Sequence, residues 1–249
     1  MNTTTITKEN ARAEAFAAIW SNDIDPVFTD VAKYYDCAND FASLGLISIM
    51  RRRFVSMIDV RPNYKCLDVC AGTNAIGIGL LKKEPTLELH AVDRSVAMQE
   101  VGMERARSNG FEIRSYITDV HKLPFPDNHF DVITIQWATR HLRVLEVFPE
   151  ILRVLKPGGH FYHCDMLRPA NRIVEQLYYL YLKACLNITS LAFRSDQTAL
   201  NCRNYFIQAI RLFYSADELS RVLEELGFTD VISKPILCGM VAFHKARKP

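Results

Sequence analysis

The spacing of apolar residues changes period several times along the middle of this chain, and each change marks an element. Short apolar runs at residues 66–69, 87–92, 113–118, 130–136 and 160–164 have the length and β-branched content of buried strands. Helical spacing separates them at 76–83, 96–108 and 145–155. The second helix stops at Asn109-Gly110 and the third at Lys156-Pro157-Gly158-Gly159, a turn that no helix crosses. This alternation predicts an α/β fold, a doubly wound Rossmann-like sheet that is mostly parallel, with helices on both faces. A helix at 216–226, capped by Ser215 and stopped by Gly227, and strands at 230–234 and 239–244 complete it.

Two helical segments, 12–60 and 171–213, lie outside that alternation. Doubly wound folds bind ligands at the carboxyl edge of the sheet, so such additions are expected to fold over that edge and exclude water. The chain reads as a single domain over 1–249: a helical cap (1–60), a cofactor-binding core (61–170), a helical lid (171–214) and a closing helix and strand pair (215–249). Within the lid, residues 177–193 carry Tyr178, Tyr179 and Tyr181 and one charge, Lys183. That is slightly short of the roughly 20 residues needed to cross a bilayer. A cover for a hydrophobic tail, a helix resting on a membrane surface and a buried core helix all remain open.

Composition narrows the picture further. The 249 residues are 49% hydrophobic and 23% charged, enough for one sizeable core. A net charge of +2 without a basic cluster argues against a nucleic-acid partner. The seven cysteines are odd in number and scattered, with no Cys-x-x-Cys pair, which disfavours a disulfide framework or a zinc site and suits a reducing compartment. The first eight residues lack the apolar run of a secretory leader and read as a frayed tail.

The chemistry concentrates between Cys66 and Asp93. A buried strand carries Asp68, the turn Cys70-Ala71-Gly72-Thr73-Asn74-Ala75 opens a helix, and the next strand ends in Asp93. A carboxylate at that distance from the turn is placed to hold a ribose diol. Asn74 stands where a nicotinamide-binding turn has its second glycine, which disfavours a dehydrogenase. Asp119 follows the third strand, where it either bonds an adenine amino group or caps a loop.

The segments around these motifs resemble class I S-adenosylmethionine-dependent methyltransferases, and more closely the ubiquinone/menaquinone C-methyltransferase family. The matching segments include Tyr34-Tyr35-Asp36 with Asn39-Asp40, Leu123-Pro124-Phe125-Pro126-Asp127 with Phe130-Asp131, Lys156-Pro157-Gly158-Gly159, and Gly239-Met240-Val241-Ala242-Phe243-His244. The resemblance implies S-adenosylmethionine as cofactor, held by Asp68, Gly72, Thr73, Asn74, Asp93, Arg94, Asp119, Val120 and Gln136. It implies Asp36, Asn39, Trp137, Tyr178 and Tyr205 at the substrate, and Tyr34, Arg140 and His141 at the reacting centre. A prenylated quinone substrate and a cytoplasmic enzyme peripheral to the inner membrane follow from it.

Two departures stand out. The family turn reads Gly-Gly-Thr-Gly-Asp, whereas this chain has Ala71-Gly72-Thr73-Asn74-Ala75. After the fourth strand, the family has Gly, a variable residue, Arg and Asn, whereas this chain has Ala138-Thr139-Arg140-His141. These features, with Phe193-Arg194-Ser195 and the stretch from Cys202 to Phe206, are similar to the rhodoquinone-forming branch, which replaces a ring methoxy of ubiquinone with an amino group. His141 is then expected to act as the base or as a metal ligand, and Arg140 to stabilise charge on a ring oxygen. A divalent metal such as manganese is a further candidate cofactor, with His121, His163 and Asp165 as possible donors in no recognised ligand spacing. C-methylation of a demethylated quinol is the alternative chemistry. A non-catalytic member that binds cofactor or lipid is the other alternative.

Overall fold

The computed structural model describes residues 3–22, 28–29, 32–192 and 197–249. Val27, Asp30 and Val31, in the stretch before Tyr34 that continues the resemblance, and the segment Phe193-Arg194-Ser195 lie outside them, as do the side chains of Cys202, Arg203 and Asn204.

The helices α1 (Thr3–Asn22), α2 (Tyr35–Ala42) and α3 (Leu46–Met57) precede the sheet. The alternating core follows as β1 (Lys65–Val69), α4 (Ala75–Lys83), β2 (Glu88–Asp93), α5 (Val96–Ser108), β3 (Arg114–Ile117), β4 (Phe130–Gln136), α6 (Val144–Val154) and β5 (Leu155–Met166). Then come α7 (Arg172–Ala192), α8 (Gln197–Leu212), α9 (Ala216–Glu225), β6 (Thr229–Ile236) and β7 (Val241–Arg247).

The seven strands lie in the order β3-β2-β1-β4-β5-β7-β6. All pairings from β3 to β5 are parallel, while β7 runs antiparallel between β5 and β6. Strand order reverses between β1 and β4, so their carboxyl ends open a crevice at the switch point. The strands there are apolar on both faces, as a sheet covered on both sides requires: Leu67 and Val69 join one core, Cys66 and Val132 the other.

The predicted limits of β4 and α5 match the observed ones, and α9 starts on the expected cap. Ser215 accepts from the Glu218 N–H while Glu218 accepts from the Ser215 N–H, a reciprocal capping box. Two expectations fail. The N-terminus is not a frayed tail, because α1 begins at Thr3 and buries Glu9, Arg12 and Phe16. The Lys156–Gly159 turn is not a clean break either. β5 starts at Leu155, and Gly158 and Gly159 exchange backbone hydrogen bonds with Lys248.

Arg12 ties α1 to the crevice. It has no exposed surface, pairs with Glu9, and donates from Nη2 to the carbonyls of Arg140 (3.0 Å) and Leu142 (3.1 Å). Glu9 in turn accepts from the Tyr214 hydroxyl at 3.1 Å and from the backbone of Val144 at the start of α6. A helix outside the core sequence alternation thus fixes the loop after β4.

Candidate active site

The turn after β1 is built from backbone conformations that side chains rarely adopt. Cys70 (φ 54°), Gly72 (φ 52°) and Asn74 (φ 55°) are all left-handed. Asparagine is among the few non-glycine residues that enter this region readily, so Asn74 keeps a turn in which the family uses glycine. Its side chain is fully buried and accepts from Gln99 Nε2 at 3.2 Å. Asn74 therefore shapes the turn from behind and does not line the cavity. Gly102 of α5 makes room for it, since a Cβ there would lie 2.8 Å from Asn74 Nδ2. Above Gly72 the space is open, as close approach by a ligand requires.

Asp93, at the end of β2, accepts from the Gly72 N–H (2.8 Å, Oδ2) and the Ser95 N–H (2.9 Å, Oδ1). One carboxylate thus fixes both the turn and the start of α5 while facing the cavity. Asp119 accepts from the backbone (2.8 Å) and ring (2.5 Å) nitrogens of His121, both through Oδ1.

The cavity these residues border encloses about 1080 Å³, counting the space at its mouth. It brings together Asp36, Asp68, Gly72, Thr73, Asp93, Arg94, Asp119, Val120, Gln136, Trp137 and His141 of the expected set. Asp68 is buried, bonded by the Thr134 hydroxyl at 2.7 Å, and its Oδ2 has no partner. Burial raises its pKa to about 7.

His141 sits on a single 3₁₀ turn, Thr139–His141. Its Nδ1 lies 2.6 Å from the Tyr205 hydroxyl, and its Nε2 is buried without a partner. Burial, then the charges of Arg140 and Arg12, hold its pKa well below the ordinary histidine value, so it is neutral at pH 7. Next to it Trp137 has φ 59°, a strained conformation for a bulky residue, and its indole nitrogen is also buried without a partner. The end of β4 thus brings an acceptor-capable nitrogen and an indole donor to one wall.

Several expected residues sit elsewhere. Arg140 does not line the cavity. Its guanidinium is buried, paired with Asp165 and donating to the Trp137 carbonyl at 2.8 Å, so it supports the wall from behind. Tyr205 is likewise one layer back, touching His141 instead of the cavity. Tyr178 is buried with its hydroxyl unpartnered, within reach of the charges of Arg140 and Asp165. Tyr34 lies in the turn before α2, and it is Tyr35, hydrogen-bonded to Asn39, that faces the cavity. Asn39 acts through that contact.

Sequence reasoning also missed a charge relocation. Ala75 begins α4 without an acid in its first turn. A carboxylate arrives nonetheless from α2, where Asp36 accepts from Thr73 Oγ1 (2.7 Å), Arg105 (2.6 Å) and Arg51 (2.7 Å). Burial opposes ionisation of Asp36, but Arg51, Thr73 and Arg105 bring its pKa below the usual carboxylate range. The candidate metal donors do not converge. His163 packs on His244 (Nδ1 to Nδ1, 3.1 Å) between β5 and β7, and His121 pairs with Asp119. No group of three or more metal-ligating side chains occurs among the described residues.

The cavity fits S-adenosylmethionine by its donor set. Asp93 beside an open glycine suits the ribose, Asp119 with Val120 suits the adenine edge, and the left-handed turn at the start of α4 suits the methionine end.

Comparison with known proteins bears on the family and its cofactor. Residues 17–248 match the ubiE/COQ5 methyltransferase family. The ubiquinone/menaquinone biosynthesis C-methyltransferase UbiE of Ectopseudomonas mendocina is 31% identical over 231 residues, covering 90% of this chain and 88% of that one. The protein of the same name from Azotobacter vinelandii is 31% identical over 227 residues, with the same coverage. Among solved structures, an S-adenosylmethionine-dependent methyltransferase of Aquifex aeolicus superposes with a TM-score of 0.56 at 17% identity, covering 79% of this chain and 88% of that one. Phosphoethanolamine N-methyltransferase 2 of Haemonchus contortus, solved with S-adenosyl-L-methionine, superposes with a TM-score of 0.57 at 15% identity, covering 80% and 51%. With the sheet order, the turn and Asp93 in place, this chain belongs to the ubiE/COQ5 methyltransferase family, as a transferase of the class I fold that uses S-adenosylmethionine.

Proposed function

We propose that the enzyme acts on the head group of a prenylated quinone, exchanging a ring methoxy of ubiquinone for an amino group to give rhodoquinone. The supporting observation is His141, a neutral imidazole whose Nε2 is buried and unpartnered in the cavity wall, at the position where the family has an amide. S-adenosylmethionine, when bound, supplies an electrophilic methyl on its sulfonium and a primary amine at the same end.

The exchange is an addition and elimination. A neutral nitrogen nucleophile adds to the ring carbon bearing the methoxy, and the electron pair moves onto a quinone oxygen. Its return expels methoxide. With ammonia as the nitrogen source, quinone–OCH3 and NH3 give quinone–NH2 and CH3OH, with no net oxidation. His141 Nε2 takes the proton from nitrogen and returns it to the leaving oxygen. A basic Nε2 requires Nδ1–H to donate to the Tyr205 oxygen, so Tyr205 selects the tautomer. In this reading the Trp137 indole N–H, buried without a partner in the cavity wall, donates to the charged ring oxygen, with Arg140 contributing charge from behind.

A second reading, C-methylation of a demethylated quinol, is supported by the 31% identity to the C-methyltransferases. Incubating the protein with S-adenosylmethionine, an ammonium salt, a divalent metal and either a short-chain ubiquinone or its demethylated quinol, then reading products by mass spectrometry, separates the two. A methoxy-to-amino change supports the first. Its absence, with methyl gain on a demethylated quinol, replaces it with the second. His141→Asn is expected to lower amination by about 10²–10⁴-fold, the usual contribution of a positioned acid–base group. Full amination by that variant sinks the assigned role. Because the prenyl tail dissolves in lipid, peripheral membrane contact is part of this reading.

A further inference from the structure

Helices α2, α3 and α7 each carry two different sides. Inward, α2 sets Tyr35 and Asp36 in the cavity wall, α3 sets Arg51 there, and α7 buries Tyr178 and Tyr179 against α8. Outward, the same helices carry exposed apolar side chains. α7 exposes Ile173, Leu177, Leu180 and Ile188, at spacings that keep them on one side of the helix. Ile173 is 70% and Leu180 66% exposed. In the turn after α2, which packs beside α7, Leu44 is 87% exposed, and on α3, which packs on α2, Ile49 is exposed. Isolated exposed leucines are ordinary, but a contiguous set on adjoining helices marks a docking face.

Among the described residues of the segments that carry this face, the exposed charges have one sign. In residues 32–57 and 170–188 the exposed charged side chains are Lys33, Arg52, Arg53, Arg172 and Lys183, all cationic. The acids of those segments turn inward: Asp36 to Arg51 and Arg105, Asp40 to Ser48, and Glu175 to Tyr179. A second copy of this chain would bring like charge against like. No described helix is long and apolar enough to cross a membrane. An apolar stripe flanked by cations is the pattern of a helix lying in the plane of an anionic lipid surface.

We propose that the outer side of α7, with the α2–α3 turn, docks on an anionic bilayer, and that the shared helices carry a lipid-dissolved substrate from that surface to the cavity they wall. For the identity of that substrate the proposal rests on the quinone reading; the docking itself needs no substrate.

The test is flotation of the full chain with phosphatidylcholine vesicles, with and without phosphatidylglycerol, at low and high salt. Binding to the anionic vesicles is expected, weakened by salt. Leu177→Glu/Leu180→Glu is expected to abolish it. Arg52→Glu/Arg53→Glu is expected to weaken it at least about 25-fold, since each surface cation contributes about fivefold. Both variants should keep wild-type circular dichroism and cofactor binding, which separates lost docking from misfolding. No vesicle binding by the wild type overturns the proposal, as does unchanged binding by the folded leucine variant. A concentration-dependent dimer abolished by that variant, without vesicle binding, overturns it in favour of self-association. Docking without amination leaves the face standing and removes only the quinone reading.

Discussion

Replacing Arg12 with methionine tests whether the N-terminal helix governs the active-site loop. The substitution removes a buried ion pair with Glu9 and two charge-assisted hydrogen bonds, to the Arg140 and Leu142 carbonyls. Methionine conserves much of the volume beneath Phe213, whose ring lies 4.8 Å from the guanidinium. Breaking one side of a buried pair costs about 3–5 kcal/mol, because the partner charge stays buried. That is a large share of the roughly 5–15 kcal/mol that holds a domain folded. Burial already raises the Glu9 pKa despite Arg12, and without Arg12 it rises further. A carboxyl whose folded pKa is raised favours the fold at low pH and loses that contribution as pH climbs through the folded value. Arg12→Met is therefore expected to lose more stability at pH 8 than at pH 5.5. Adding Glu9→Gln should restore part of the loss and flatten the pH dependence. Urea unfolding of both variants at both pH values measures this. A loss under about 1 kcal/mol would refute the reasoning, since surface ion pairs contribute no more than that. Equal losses in the single and double variants would refute it as well. With the loop released, kcat should fall while cofactor affinity holds, because Asp93 and the β1 turn are untouched.

Three further outcomes are expected. Tyr205→Phe should lower kcat about tenfold with KM little changed, in line with one hydrogen bond of about 1.5 kcal/mol. Nitrogen-15 spectra should show a changed His141 tautomer in that variant, and an unaltered spectrum would count against tautomer selection. Asp68, with its pKa raised to about 7, should make the protein less stable as pH rises from 4 to 7, by about 4 kcal/mol for three pKa units. Asp68→Asn should remove that slope, and persistence of the slope in thermal melts would assign it elsewhere. Asp93→Ala deprives the Gly72 and Ser95 N–H groups of their acceptor and should weaken cofactor binding about 10–100-fold by calorimetry. A change below twofold would mean Asp93 only shapes the turn.

What the sequence revealed followed how local each feature is. β4, α5 and the Ser215 cap are written in periodicity and in neighbouring residues. The left-handed Asn74 was legible because few residues accept that backbone. Asp36 was read as a substrate contact, because no spacing rule brings α2 to a turn 37 positions later. Tyr34 rests on the family resemblance alone, and because α2 starts without a side-chain cap nothing local fixes which of Tyr34 and Tyr35 faces inward. Glu9 and Arg12, three residues apart, look like an ordinary surface pair. Their burial depends on Phe213, Tyr214 and the loop after β4, which only the tertiary fold brings to them.

The joining of α1 to residues far along the chain also sets an order of assembly. Lys8 pairs with Glu218 across 210 positions, and Glu9 meets Tyr214 across 205. At roughly 5–20 residues per second, the first helix leaves the ribosome about 10–40 seconds before its partners exist. During that interval its buried face has nothing to bury against, and the β4 loop is made before the residues that complete its surroundings. Closure of the active site then belongs to the last stage of folding, after the C-terminal helix is released, and contacts of such long range make that stage slow. A stalled or truncated chain could complete β1 to β4 and the cofactor turn and still lack a positioned His141.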